Sequence, residues 1–225
     1  MKRTLVVVHG YEKASHLFPH LYPFWKLGGC DLLGIGHVNT TINWPGDMPF
    51  VNVCEDKFST WNEHNTDVLC QRLVNTFDFL VNYHPEYDDY CIIEWDAIFT
   101  KPLPEHPGGL VSTPCGVSEG YHAMGFLANI AFLTPWWADH ATARVIVEEG
   151  KKLLAEGKFE KGTPDFFLGL ICDRTGFKYS GIPAYIQNTI DHDEWAFEAR
   201  DRFRDKTINY IHGIKTLHVL NQITT

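Results

Sequence analysis

The 225-residue chain has no GxxxxGK[ST] phosphate loop and no GxGxxG turn. P-loop and dinucleotide-oxidoreductase chemistries therefore lack their defining residues. Its six cysteines, Cys30, Cys54, Cys70, Cys91, Cys115 and Cys172, include no CxxC pair, and several fall inside apolar runs. That spacing excludes a zinc ribbon and favours reduced, buried thiols over disulfides. The first apolar run, Leu5 to Val8, stops at His9-Gly10, too short for a signal-peptide core or a membrane span, so a soluble cytoplasmic protein is expected. No repeat, low-complexity tract or Pro/Gly/Ser linker marks a boundary, so residues 1–225 read as a single domain. Positive charge is scarce: 19 Lys and Arg against 28 Asp and Glu leave a net charge of -9, which argues against a generic polyanion-binding surface.

What is present alternates. Leu5 to Val8, Asp31 to Gly36 and Phe50 to Cys54 read as short strands, the first buried on both faces. From about Asn65 to Tyr83, Leu69, Leu73, Phe77, Leu80 and Val81 recur at helical spacing and stop before Pro85. Tyr90 to Ile93 is a further strand, followed by strands at Gly109 to Ser112 and Phe126 to Leu133. A long helix is expected from Trp136 to Glu156, ended by Gly157, and a second opens at Thr163-Pro164 and closes at Gly176. Strands at Tyr179 to Ile182 and Tyr210-Ile211 finish the chain. The alternation predicts an α/β fold, a Rossmann-like mixed sheet with flanking helices and ligands at the carboxyl ends of the strands.

Glu94-Trp95-Asp96 follows the strand Tyr90 to Ile93 directly. Strand alternation would put Glu94 and Asp96 on one face and Trp95 on the other. Two carboxylates on one face repel unless a cation lies between them, and hard divalent ions take oxygen ligands of this kind. A solvated acidic strand end is the competing explanation. Late in the chain, Tyr210-Ile211-His212-Gly213-Ile214-Lys215 offers an imidazole and an ammonium, which an ordinary surface also carries.

The order of these features resembles the GT-A glycosyltransferases. In that family an acid-x-acid motif at the end of the fourth strand holds a divalent metal and the diphosphate of a nucleotide-sugar. Glu94-Trp95-Asp96 stands in that place, with Glu where Asp is commoner, so Asp96 is the firmer ligand. The resemblance implies Mn²⁺ or Mg²⁺ held by Glu94, Asp96 and His212, with Lys215 neutralising the departing diphosphate. Gly162-Thr163-Pro164-Asp165 matches the acceptor-side acid, although an Asp in a first helical turn also stabilises the helix by about 0.3–1 kcal/mol. His9-Gly10-Tyr11 would meet the nucleotide, Arg72 its base or phosphate and Asn129 the sugar. A strand exit, a solvated helix face and a buried backbone partner explain these three equally well.

Residues 1–100 become a nucleotide-binding half and 101–225 an acceptor half. The implied reaction moves a sugar from a nucleoside diphosphate donor to an acceptor hydroxyl, on a surface-glycan precursor or a modified base of phage DNA. A non-catalytic nucleotide-sugar or metal-binding module is the alternative. His16 and His20 read as surface residues because Pro19 interrupts their i, i+4 spacing. Asp88-Asp89 reads as the solvated start of a strand, and Glu198 to Lys206, with alternating signs, as a solvated face.

Overall fold

A computed structural model describes residues 2–37, 41–54, 66–158, 164–181, 184–186 and 193–225. Strand β1 (Thr4–His9) is followed by α1 (Phe18–Trp25), β2 (Asp31–His37), β3 (Phe50–Cys54) and α2 (Thr66–Tyr83), which leads into β4 (Asp89–Glu94) and the short β5 (Ala97–Phe99). After β6 (Leu110–Gly116) and α3 (Glu119–Ala123), the long β7 (Ile130–Asp139) runs into α4 (His140–Ala155). The remainder is α5 (Pro164–Thr175), β8 (Tyr179–Gly181), β9 (Ala184–Ile186), α6 (Asp193–Asp205), β10 (Tyr210–His212) and α7 (Leu217–Thr224). Asn65, Thr163 and Ile182, read as element ends from the sequence, lie outside the described residues.

The fold is α/β. Seven strands form one mixed sheet in the order β3-β2-β1-β4-β7-β6-β8, and β5-β10-β9 form a second, smaller sheet. β1 pairs in parallel with both β2 and β4, and β7 inserts antiparallel between β4 and β6. Strand alternation divides the core into two layers. Val6, Val8, Cys91 and Ile93 face α1, α7 and the small sheet, whereas Leu5, Val7, Tyr90 and Ile92 face α2, α4 and α5. Burial on both faces is why β1 reads as an unbroken apolar run, each fully buried valine contributing about 1.5–3 kcal/mol.

The expected helix from Trp136 is corrected to one beginning at His140. Trp136 to Asp139 instead extends β7, where Trp136 pairs Ile92 and Trp137 pairs both Cys91 and Val111. Pro135 misled because it resembles a helix start. Here it falls in the irregular stretch where the β6 register jumps from Val111 opposite Trp137 to Thr113 opposite Leu133, a place where no ladder N–H is needed. The real cap is Asp139, whose carboxylate accepts the Thr142 N–H at 2.7 Å and the Gly109 N–H at 2.7 Å. The helix ends as expected, with left-handed Gly157 (φ 69°), and α5 ends likewise at Gly176 (φ 64°).

Two smaller expectations are also corrected. Asp89 is buried, not solvated, and accepts the Trp137 indole N–H at 2.6 Å, while Asp88 is exposed. Cys70, Cys91 and Cys172 are buried thiols, but Cys115, near the end of β6, is exposed. No helix among the described residues is long and apolar enough to cross a membrane.

Candidate metal centre

From β1 the chain lays β2 and β3 to one side, then returns through α2 to place β4 on the other. That reversal opens a crevice at the carboxyl ends of β1 and β4, where His9 and Glu94 are register partners. The cleft there has a volume of about 230 Å³ and is lined by His9, Gly10, Tyr11, Arg72, Glu94, Trp95, Asp96 and Lys215. It is smaller than most pockets that enclose a whole ligand, so it suits one portion of an extended molecule.

Strand pairing of β4 stops at Glu94, and Trp95-Asp96 form a turn. Strict alternation therefore does not extend through the motif, and the expectation of Trp95 on the opposite face is corrected. Trp95 lines the same cleft, its ring stacked with that of Tyr11 at a centroid distance of 6.1 Å and an angle of 28°. Sequence reasoning missed it; the signal was an aromatic beside the acids, facing Tyr11 at the end of the neighbouring strand.

The small sheet brings the distant histidine in. β10 pairs antiparallel with β5, setting His212 opposite Ala97, and the Asp96 carbonyl accepts the N–H groups of Gly213 at 3.0 Å and Ile214 at 2.7 Å. Trp25 donates its indole N–H to the Ala97 carbonyl at 2.8 Å, and Tyr210 contacts Thr134 at 3.2 Å through their hydroxyls. The turn is thus fixed from α1, β7 and β10 together.

His212 Nε2 lies 2.7 Å from Glu94 Oε2 and 3.1 Å from Asp96 Oδ1, and Lys215 Nζ lies 3.9 Å from Asp96 Oδ2. The Asp96 side chain is only 4% exposed, so its charge needs compensation from these neighbours. Burial, the largest single influence, works against a charged His212. The contacts with Asp96 and Glu94 and the attraction of their charges outweigh it and push the imidazole up to about 10.

Although the atoms are close, both ring nitrogens of His212 and Asp96 Oδ1 are buried without a hydrogen bond of acceptable geometry among the described residues. The atoms converge on a point instead of aligning as donor and acceptor. One ligating atom from each of Glu94, Asp96 and His212 lies within 4.8 Å of the others, a spacing that bonds of about 2.0–2.2 Å to a shared ion accommodate. Two carboxylates and one imidazole fit a divalent cation with open coordination positions.

The other sequence-predicted residues divide. Tyr11 and Arg72 line the cleft, as does Gly10, but a Cβ on Gly10 would come within 2.7 Å of Ile42 and Trp44. Its first duty is to admit the Trp44 ring. His9 is buried with Nε2 3.1 Å from the Thr76 hydroxyl, against α2. Asn129 donates its backbone and side-chain N–H groups to Asp173 at 2.8 and 3.0 Å, and is not part of the cleft lining. Asp165, in the first turn of α5, is close enough to Cys115 for its charge to help burial raise that thiol. It lies along the same sheet edge, beyond β7, and outside the cleft lining.

A larger hollow of about 580 Å³ opens at the opposite edge, by the amino ends of β1 and β4. Its cations are occupied by its own acids, Lys2 with Glu105 at 3.7 Å and Arg3 with Asp31 at 3.1 Å, and among the described residues it holds no convergent set of ligating atoms. Among the described residues the ligating atoms converge at the smaller cleft. Comparison with protein-family models gives no match to this chain, and a search of curated proteins finds no relative.

Proposed function

We propose that the protein is a metal-dependent glycosyltransferase that moves a sugar from a nucleoside diphosphate donor to an acceptor hydroxyl. The observation that carries this reading is the convergence of Glu94, Asp96 and His212 at the crevice between β1 and β4, with buried Asp96 and His212 atoms that lack hydrogen bonds among the described residues. The imidazole favours Mn²⁺ over Mg²⁺, which seldom gives up oxygen ligands.

When bound, the ion supplies Lewis-acid stabilisation of the diphosphate. Tyr11 and Trp95 stack on the nucleotide base, and Arg72 answers its phosphates. The acceptor oxygen attacks the anomeric carbon while the bond from that carbon to the phosphate oxygen breaks. Asp165 takes the hydroxyl proton, and the bonding electrons leave with the nucleoside diphosphate, whose growing charge Lys215 stabilises.

A donor screen with purified protein, reading nucleoside diphosphate release with and without Mn²⁺, tests this directly. Release from at least one donor should require Mn²⁺ and disappear in Asp96→Ala. Mn²⁺-dependent nucleotide binding with no turnover of any donor would instead favour the non-catalytic module. Absence of both would remove the reading.

A further inference from the structure

The carboxyl edge of the main sheet continues past the metal centre through β7 and β6, and its rim has a composition of its own. Between Lys101 and Arg144 the chain contains no lysine or arginine, and that stretch supplies β6, α3 and β7. Glu119 begins α3 within that stretch, and α5 adds Asp165 in its first turn and Asp173, which receives both Asn129 N–H groups.

Beside these acids stands an aromatic cluster. Tyr121 meets Phe126 at 5.3 Å and Phe166 at 5.8 Å between ring centroids, and Phe126 meets Phe166 at 4.6 Å. Phe166 follows Asp165 in α5, so the cluster adjoins the acid assigned to the acceptor. Tyr121 is 43% exposed, and Met124 and Leu127, close to it in sequence, are 56% and 55% exposed. Nowhere else among the described residues are three large exposed apolar side chains so close in sequence, and an apolar patch rimmed by polar groups marks a contact surface.

We propose that this platform binds the acceptor and that the acceptor is a glycan, an inference that rests on the glycosyltransferase reading. A sugar ring has an apolar C–H face that packs on an aromatic ring and hydroxyls that donate to carboxylates. Tyr121 supplies the ring, and Glu119 and Asp165 supply the acceptors. A nucleic-acid acceptor requires the reverse. Strands are held by Lys and Arg on phosphates, and even sites that stack bases on aromatics set them in a positively charged groove. Among the described residues this rim carries the carboxylates of Glu119 and Asp165, and residues 102–143 bring it no lysine or arginine, so phosphates within about 8 Å of those acids are repelled at physiological salt.

The test uses a printed glycan array and, in parallel, duplex DNA containing 5-hydroxymethylcytosine, each probed with the full chain in Mn²⁺ and a nucleoside diphosphate. Nucleoside diphosphate binding is measured separately by calorimetry. The parent should bind glycans and not the duplex at physiological salt. Tyr121→Ala should weaken glycan binding about tenfold or more, the worth of one aromatic contact, with nucleotide affinity unchanged. Leu127→Ser, at an exposed position, gives a second variant that leaves the core untouched. A silent array, glycan binding indifferent to both variants, or duplex binding that weakens in Tyr121→Ala would overturn the inference. Failure to bind any nucleoside diphosphate would instead bring down the transferase reading, while Tyr121-dependent glycan binding would still uphold the platform.

Discussion

Loading a divalent ion should expel a proton from His212. Without metal, Glu94 and Asp96 hold the imidazole up at about 10, so near neutrality the ring is protonated and has no lone pair to offer. An incoming ion must displace that proton. From about pH 6.5 to about pH 9 its apparent affinity should therefore rise about tenfold per pH unit, and at pH 7 the competition costs about 4 kcal/mol, three units at about 1.4 each. The same raised value gives the metal-free protein a stabilising contribution of opposite trend. That contribution is complete below the unfolded value of 6.5 and is lost as the pH climbs through about 10. Titration calorimetry with Mn²⁺ at pH 7, in buffers of different ionisation enthalpy, should report close to one proton released per ion. His212→Ala should abolish the release. Binding heats indifferent to the buffer, together with an affinity flat in pH, would refute both the ligand assignment and the charge balance behind it.

Three other substitutions separate site from scaffold. Asp165→Asn should lower transfer by about 10²-fold with donor affinity and melting temperature unchanged, whereas a purely helix-stabilising Asp165 would show its loss in melting temperature; both are read on one preparation. Tyr11→Ala should weaken nucleotide binding by about tenfold and leave the preference for Mn²⁺ intact, and calorimetry showing equal affinity would remove the Tyr11–Trp95 pair from the site. Gly169→Ala should destabilise by about 1–3 kcal/mol or more in denaturant unfolding, because a Cβ there would lie 1.6 Å from the Ile130 carbonyl oxygen and force α5 away from β7. An unchanged midpoint would mean that this helix packs less closely than described.

Local signals carried much of the fold. β1 and β4 were legible because strands buried on both faces must be continuously apolar, and α2 because its apolar spacing matches one helical face. Gly157 and Gly176 marked helix ends because the left-handed backbone needed there suits a residue without a Cβ. The sequence also pointed to every member of the candidate metal cluster, since its two acids adjoin a strand end and its histidine lies close to a lysine. Their meeting was decided elsewhere. Pairing of β10 with β5, remote in sequence, carries His212 to Asp96, and no local pattern encodes such a partner. Tertiary packing likewise kept Trp136 to Asp139 extended, because Cys91 and Val111 flank Trp137 on neighbouring strands and complete a ladder that a helix would leave open. It also turned Trp95 into the cleft, since the chain leaves the main sheet at Glu94 to start the smaller one, and the strand period has no hold on a turn.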